Sequence, residues 1–348
     1  MNARTLRLAT AAFAVGLASA ALAAQEPFKF KSGVELVNVT ATVTGRDGRF
    51  LAGLDRDDFI VYDNGERQPI THFSSERAPV SLGIVLDASG SMADDKMAAA
   101  RRAIQRFVTD LLDEEDEIFF MAFNEKATLR QDWTHDRRDV IRALAGVNPV
   151  GGTAMYDAVA QALPIAAGGK HAKKALLVIS DGRDADSEVK LIELRQAIKE
   201  SEVLVYALGI DATADDGNDS RRATPIPQPA PGKRPRPPIR IPGIGDGRWR
   251  FPFALPQFGG LGRSTGSDER VNAPALRELT DDTGGRTEII RKIDDLPGAT
   301  GRIADELSQQ YSLGYIAPGP TDGRWHAIRV ELAGRTATVR ARAGYFAS

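Results

Sequence analysis

The chain has 348 residues, 42% hydrophobic and 26% charged, a composition of ordinary globular protein long enough for two packed domains. Its 45 basic and 47 acidic residues leave a formal net charge of −2, which argues against a partner held by phosphate neutralisation and therefore against nucleic acid. Cysteine is absent, which excludes disulfides, thiolate metal sites and a lipid-modified cysteine.

At the N-terminus, Arg4 and Arg7 precede the uncharged run Leu8 to Leu22, which ends in Ala21-Leu22-Ala23. A run this short, closed by a small-x-small pattern, reads as a secretory signal over 1–23, cleaved near Ala23 or Ala24. The alternative is an uncleaved anchor. The expected location is secreted or periplasmic, with no transmembrane segment after cleavage.

From Val34 to about Ser75 the pattern alternates with period two and is broken by the turn dipeptides Asp47-Gly48 and Asn64-Gly65. This predicts short antiparallel strands, including one over RFLAGL, in a unit spanning 24–78. So few residues do not close a sandwich alone, so partner strands are expected from elsewhere.

The rhythm then changes. Strand Val80–Leu86 leads to a helical stretch from about Met92 to Leu112, with Met97, Ala100, Ile104, Phe107 and Leu111 on one face. A hairpin-like pair follows at Glu117–Phe123 and Ala127–Trp133, then helices at Arg137–Leu144 and Ala154–Ala167. Lys174–Ser180 and Val203–Ile210 are continuous apolar strands of the kind buried on both faces, with a helix at about Ser187–Lys199 between them. Strands alternating with crossover helices imply an α/β, doubly wound, mostly parallel sheet.

Between Asp211 and Arg270 the composition turns to proline, glycine and arginine without helical or strand period. An insert over 212–270 that does not fold by itself is expected, partly polyproline-like. Its aromatic tail, Trp249-Arg250-Phe251-Pro252-Phe253 with Phe258, reads either as a docking patch or as local packing. Helix returns at Ala273–Asp282, a short strand near Thr287–Ile290, and a helix to Gln310. Three late strands, Tyr311–Ile316, Trp325–Leu332 and Thr336–Phe346, complete the chain. Early and late strands together predict one composite β-sandwich flanking an α/β domain over 79–310, with 311–348 as its C-terminal part.

The strand Val80–Leu86 ends in Asp87-Ala88-Ser89-Gly90-Ser91. Positions two apart face one side of an extended segment, so Asp87, Ser89 and Ser91 can aim three oxygens at one point. Oxygen ligands select hard cations, and Mg²⁺ fits better than Zn²⁺. Helix capping is the competing explanation of the same residues. Gly151-Gly152-Thr153 offers another hydroxyl before a helix, and Ser180-Asp181-Gly182 a second carboxylate at the end of a buried strand. If the two buried strands are neighbours, Asp87 and Asp181 emerge together at the carboxyl edge, where open α/β sheets place ligands.

DASGS, GGT and SDG, in that order, resemble the von Willebrand factor type A domain, whose metal-ion-dependent adhesion site has the pattern Asp-x-Ser-x-Ser, Thr, Asp. The resemblance covers about 79–310 apart from the insert and matches at all five positions. It implies metal-site roles for Asp87, Ser89, Ser91, Thr153 and Asp181, holding Mg²⁺ (or Mn²⁺ or Ca²⁺), and a protein partner whose Asp or Glu completes the coordination. The flanks, with Gly53-Leu54, Asp58-Phe59, Tyr311-Ser312-Leu313-Gly314-Tyr315 and Arg342-Ala343-Gly344-Tyr345, look like those of acidobacterial-type secreted proteins related to that domain.

The function expected is therefore a secreted, metal-dependent, protein-binding module without catalytic activity. A structural component of an envelope complex, stabilised by its metal, is the alternative. A phosphoesterase is a third reading, but haloacid-dehalogenase-like chemistry wants a second acid where this chain has Ser89, and the Gly-x-Ser-x-Gly elbow of serine hydrolases is missing. His72, His135, His171 and His326 show no metal-ligand spacing. Asp215, Asp216, Asp219, Asp246 or Glu269 of the insert can be drawn as an internal ligand competing with partners, against the simpler reading of a solvated loop. The sequon Asn38-Val39-Thr40 and the acidic run Asp113 to Glu117 read as strand and solvated turn.

Overall fold

The structure is a computed structural model and describes residues 36–46, 48–211, 271–319 and 322–347. The expected signal peptide, the 212–270 insert and its candidate internal ligands lie outside the described residues. Among those described, no helix is long and apolar enough to cross a membrane.

A six-stranded sheet of order β10-β9-β8-β5-β6-β7 forms the middle of the molecule. Its strands are β5 (Val80–Asp87), β6 (Glu117–Phe123), β7 (Ala127–Thr134), β8 (Lys173–Ser180), β9 (Leu204–Ile210) and β10 (Thr287–Ile290). All neighbours run parallel except the edge pair β6 and β7. The apolar runs of β5, β6 and β9 are buried along their whole length, because helices cover both faces. Leu82, Ile84 and Leu86 pack on one face with α1 (Asp95–Arg106), α2 (Arg137–Ala145) and α6 (Leu296–Ser308). Val85 faces the other side, toward α3 (Met155–Ala167), α4 (Leu191–Ser201) and α5 (Ala273–Thr280).

Two four-stranded antiparallel sheets flank this core. One has the order β13-β1-β11-β4, from β1 (Leu36–Thr44), β4 (His72–Ser74), β11 (Tyr311–Ile316) and β13 (Thr338–Arg340). The other, β14-β12-β2-β3, uses β2 (Phe59–Asp63), β3 (Glu66–Gln68), β12 (Trp325–Leu332) and β14 (Gly344–Phe346). Each sheet mixes strands from before and after the α/β domain, as the composite sandwich required. Their shared core contains Val37, Val39, Phe59, Val61, Leu313, Tyr315 and Tyr345. Sandwich and α/β domain meet at buried Glu306, which accepts from Tyr206 Oη at 3.0 Å and Arg340 Nη2 at 2.5 Å.

Several expected elements differ. RFLAGL forms no strand beyond a bridge between Thr44 and Phe50, because Tyr311 Oη takes its backbone, donating to Leu51 O and accepting from Leu54 N. The helix expected from Met92 to Leu112 is a 3₁₀ turn (Gly90–Met92), then α1, then a π-turn (Phe107–Leu111). Phe107 and Val108 of the π-turn are both buried and join the core on the face of the sheet that α1 covers. The strand expected over Thr336–Phe346 is two, since the chain crosses from one sandwich sheet to the other after Arg340.

Candidate functional site

In the order β10-β9-β8-β5-β6-β7, the chain runs from β5 to β6 and β7 on one side, then returns to lay β8, β9 and β10 on the other. The crevice outside the carboxyl ends of β5 and β8 is the topological switch point of the sheet. Register pairs Leu86 with Ile179, which brings Asp87 and the Ser180-Asp181 pair out side by side.

Asp87 has no solvent exposure. Its Oδ1 accepts from Ser89 N at 2.8 Å and its Oδ2 from Ser180 Oγ at 2.6 Å. Burial nevertheless pushes its carboxyl up to about 6, against the lowering effect of the Ser180 and Ser89 hydrogen bonds. Ser89 is buried and its Oγ lies 3.0 Å from Ser91 Oγ; Ser91 is half-buried. Neither Ser89 nor Asp94 makes a side-chain hydrogen bond to the helical turn it precedes, so capping does not account for the cluster.

Asp181 is also without exposure. Its Oδ1 accepts from Arg183 N at 3.2 Å, whereas its buried Oδ2 has no hydrogen-bond partner among the described residues. Lys96 Nζ and Arg183 Nε stand 4.0 and 3.8 Å from that oxygen, outside hydrogen-bond reach.

The Thr153 loop joins the first loop through backbone. Val150 N donates to Ala88 O at 2.8 Å and Gly90 N to Gly151 O at 2.9 Å. Gly151 has φ +84°, a left-handed backbone that favours glycine. At Gly152 a Cβ would collide with the Asp186 carboxylate, whose Oδ2 accepts from Thr153 N at 2.7 Å. Thr153 is thus buried and fixed by its main chain against both neighbouring loops. Asp87, Ser89 and Ser91 are directly linked, Asp181 is tied to them through Ser180, and Thr153 connects through backbone alone.

Ser180 is the residue that the motif reading passes over. It links the first carboxylate to the loop of the second, accepting from Gly182 N at 3.0 Å while donating to Asp87. The available signal was a hydroxyl ending an otherwise apolar strand, immediately before Asp181.

Among the described residues no group of three or more His, Cys, Asp or Glu side chains gathers in a metal-binding arrangement. The crevice instead offers two buried carboxylates and the paired hydroxyls of Ser89 and Ser91, with Thr153 buried on the adjoining loop. That donor set suits a hard divalent cation, and the orphaned Asp181 Oδ2 is a buried charged atom that such a cation would satisfy. On this test the residues fit the ion that the motif implies.

Residues 82–183 match the family model of the von Willebrand factor type A domain. No curated protein matches the chain. Among solved structures it is similar to the conserved hypothetical protein BatB from Bacteroides thetaiotaomicron, at 20% identity and a TM-score of 0.43, covering 65% of this chain and 98% of that one. A von Willebrand factor type A protein from Catenulispora acidiphila shares 15% identity over 91% of this chain and 76% of its own, with a TM-score of 0.45. Proximal thread matrix protein 1 from the mussel byssus shares 12% identity over 71% and 51%, with a TM-score of 0.46. The doubly wound sheet, the crevice at its switch point and the match over 82–183 together identify a domain of von Willebrand factor type A fold within this chain.

Proposed function

We propose that the chain is a non-catalytic module of an extracytoplasmic assembly, secreted or periplasmic by virtue of its 1–23 signal, in which a divalent cation stabilises the crevice. The acidobacterial-type motifs in the flanks support placing it with bacterial secreted relatives. Asp87, Ser89, Ser91, Thr153 and Asp181 are the residues to hold Mg²⁺, or Mn²⁺ or Ca²⁺. The bound ion would supply positive charge to offset the two buried carboxylates. The observation that carries this reading is Asp181 Oδ2, a fully buried carboxylate oxygen without a hydrogen bond among the described residues. The chain's own part is to hold the loops: Ser180 orients Asp87, Asp186 fixes Thr153 N, and the Val150 and Gly90 amides lock the first two loops together.

The partly exposed rim supports a second reading, adhesion. Ser91 is half-buried and Val150, beside the Thr153 loop, is 62% exposed, so an acidic side chain from a partner has a route to the ion. One experiment separates the two. Melting of the full chain in Mg²⁺ and in chelator, for wild type and Asp87→Ala, is paired with pull-downs from envelope and secreted fractions. A melting temperature that rises with Mg²⁺ only in wild type, with no partner recovered, supports the structural module. A partner captured in Mg²⁺, and lost both in chelator and with Asp87→Ala, supports adhesion. Turnover of phosphoesters that disappears in Asp87→Asn would replace both with an enzyme.

A further inference from the structure

Lys96 is in the first turn of α1. The amino end of a helix already carries partial positive charge, so an ammonium there is opposed by local electrostatics. An exposed lysine escapes by swinging into water. The Lys96 side chain does not, since it is only 16% exposed and directed at Asp181, with Nζ 4.0 Å from Oδ2. Arg183 reaches the same oxygen from the surface, at 3.8 Å and with its side chain 37% exposed. The two carboxylates of the crevice are therefore balanced differently. Asp87 is held by hydrogen bonds from Ser89 and Ser180, whereas Oδ2 of Asp181 relies on charge.

We propose that Lys96 is a tethered counter-ion of the crevice: it neutralises Asp181 in the metal-free protein and thereby competes with, and weakens, divalent cation binding. The inference rests on the metal reading above and adds its regulation. A divalent ion would cancel the two carboxylate charges that hold Lys96, freeing its ammonium to turn toward solvent or toward an acid brought by a partner. A monovalent ion brings no more charge than Lys96 already supplies, so the site selects doubly charged ions.

Titration calorimetry with MgCl₂ on the full chain tests this, with wild type, Lys96→Met, Lys96→Gln and Lys96→Arg, alongside melting in chelator. The expected result is Mg²⁺ binding about tenfold tighter for Lys96→Met and Lys96→Gln, from removal of a like charge a few ångströms away. Both should melt lower than wild type in chelator, and NaCl should not displace Mg²⁺ beyond its ionic-strength effect. Lys96→Arg should stay near wild type in both measurements. Wild-type binding with equal or weaker affinity in both uncharged variants overturns the counter-ion role alone. Failure of every protein, wild type included, to bind Mg²⁺ or Mn²⁺ overturns the metal reading and this inference with it.

Discussion

Ser180→Ala removes one oxygen atom and two hydrogen bonds in a place water does not reach. The hydroxyl has no exposure, donates to Asp87 Oδ2 at 2.6 Å and accepts from Gly182 N at 3.0 Å. A hydrogen bond to a charged acceptor contributes ~1.5–3 kcal/mol, and a buried amide left without an acceptor costs ~1–3 kcal/mol. Their overlap puts the loss at ~3 kcal/mol in the metal-free protein, a drop of about 6–12 °C in melting temperature for a domain of this size. Urea unfolding in chelator at about pH 8, where Asp87 is ionised, measures it for wild type, Ser180→Ala, Asp87→Asn and the double variant. Asparagine keeps the shape and removes the charge, so in that background the Ser180→Ala penalty should shrink by ~1–2 kcal/mol. A penalty under ~0.5 kcal/mol, or one of equal size in both backgrounds, would refute the assignment of Ser180 as the support of a charged Asp87.

Other consequences can be checked with the same proteins. Asp87 sits at about 6 in the fold against 3.8 as its ordinary value, so the native state takes up its proton first. Metal-free stability should therefore rise as pH falls through 6 toward 3.8, by ~1.4 kcal/mol between about pH 7 and about pH 5. Urea melts in chelator should show this increment in wild type and not in Asp87→Asn. In Mg²⁺ the trend should reverse, because protonation competes with the ion. Lys173 is nearly buried, donates to Leu307 O at 2.8 Å, and is lowered to about 8 by burial and then by Arg77. Its ammonium thus costs stability at neutral pH, a cost relieved as pH rises through 8. Lys173→Met should stabilise by ~1–2 kcal/mol in a urea melt, the removed desolvation exceeding the lost hydrogen bond. Gly152→Ala should displace the Asp186 carboxylate from Thr153 N, weakening Mg²⁺ binding at least about fivefold by calorimetry with the far-UV spectrum unchanged.

What the sequence disclosed about the site was the part carried by local pattern. Two apolar runs closing on Asp87 and on Ser180-Asp181 are enough to place both carboxylates at one edge, once parallel pairing is assumed. What it concealed depends on neighbours across the sheet. Ser180 gains its role only because the register sets it beside Asp87, and no spacing in the chain encodes that. The same holds for the segment before α4, expected as helix from Ser187. Helix begins only at Leu191, after Glu188 N and Val189 N have donated to the Asp157 carboxylate of α3, 2.8–3.1 Å away, a tie across the fold that no spacing in the chain encodes. Lys173 is another case: a charge at the start of a strand reads as a solvated end, yet α6 covers it. The sandwich was legible as two half-sets of alternating strands. Their division into two sheets was not, because the switch after Arg340 answers to β1 on one side and β12 on the other.

The interleaving of early and late strands orders the birth of the molecule. Leu36 finds its mate at Ile316 and Phe59 at Leu332, so β1 and β2 emerge from the ribosome long before the strands that will cover them exist. Until then Val37 and Val39 are an unmated apolar ribbon, prone to stick to its copies, and β2 has only β3 beside it, while the α/β domain has everything it needs to close. A chain stopped short of Tyr311 should accordingly keep a folded middle and still precipitate, dragged down by strands that have nothing to pair with.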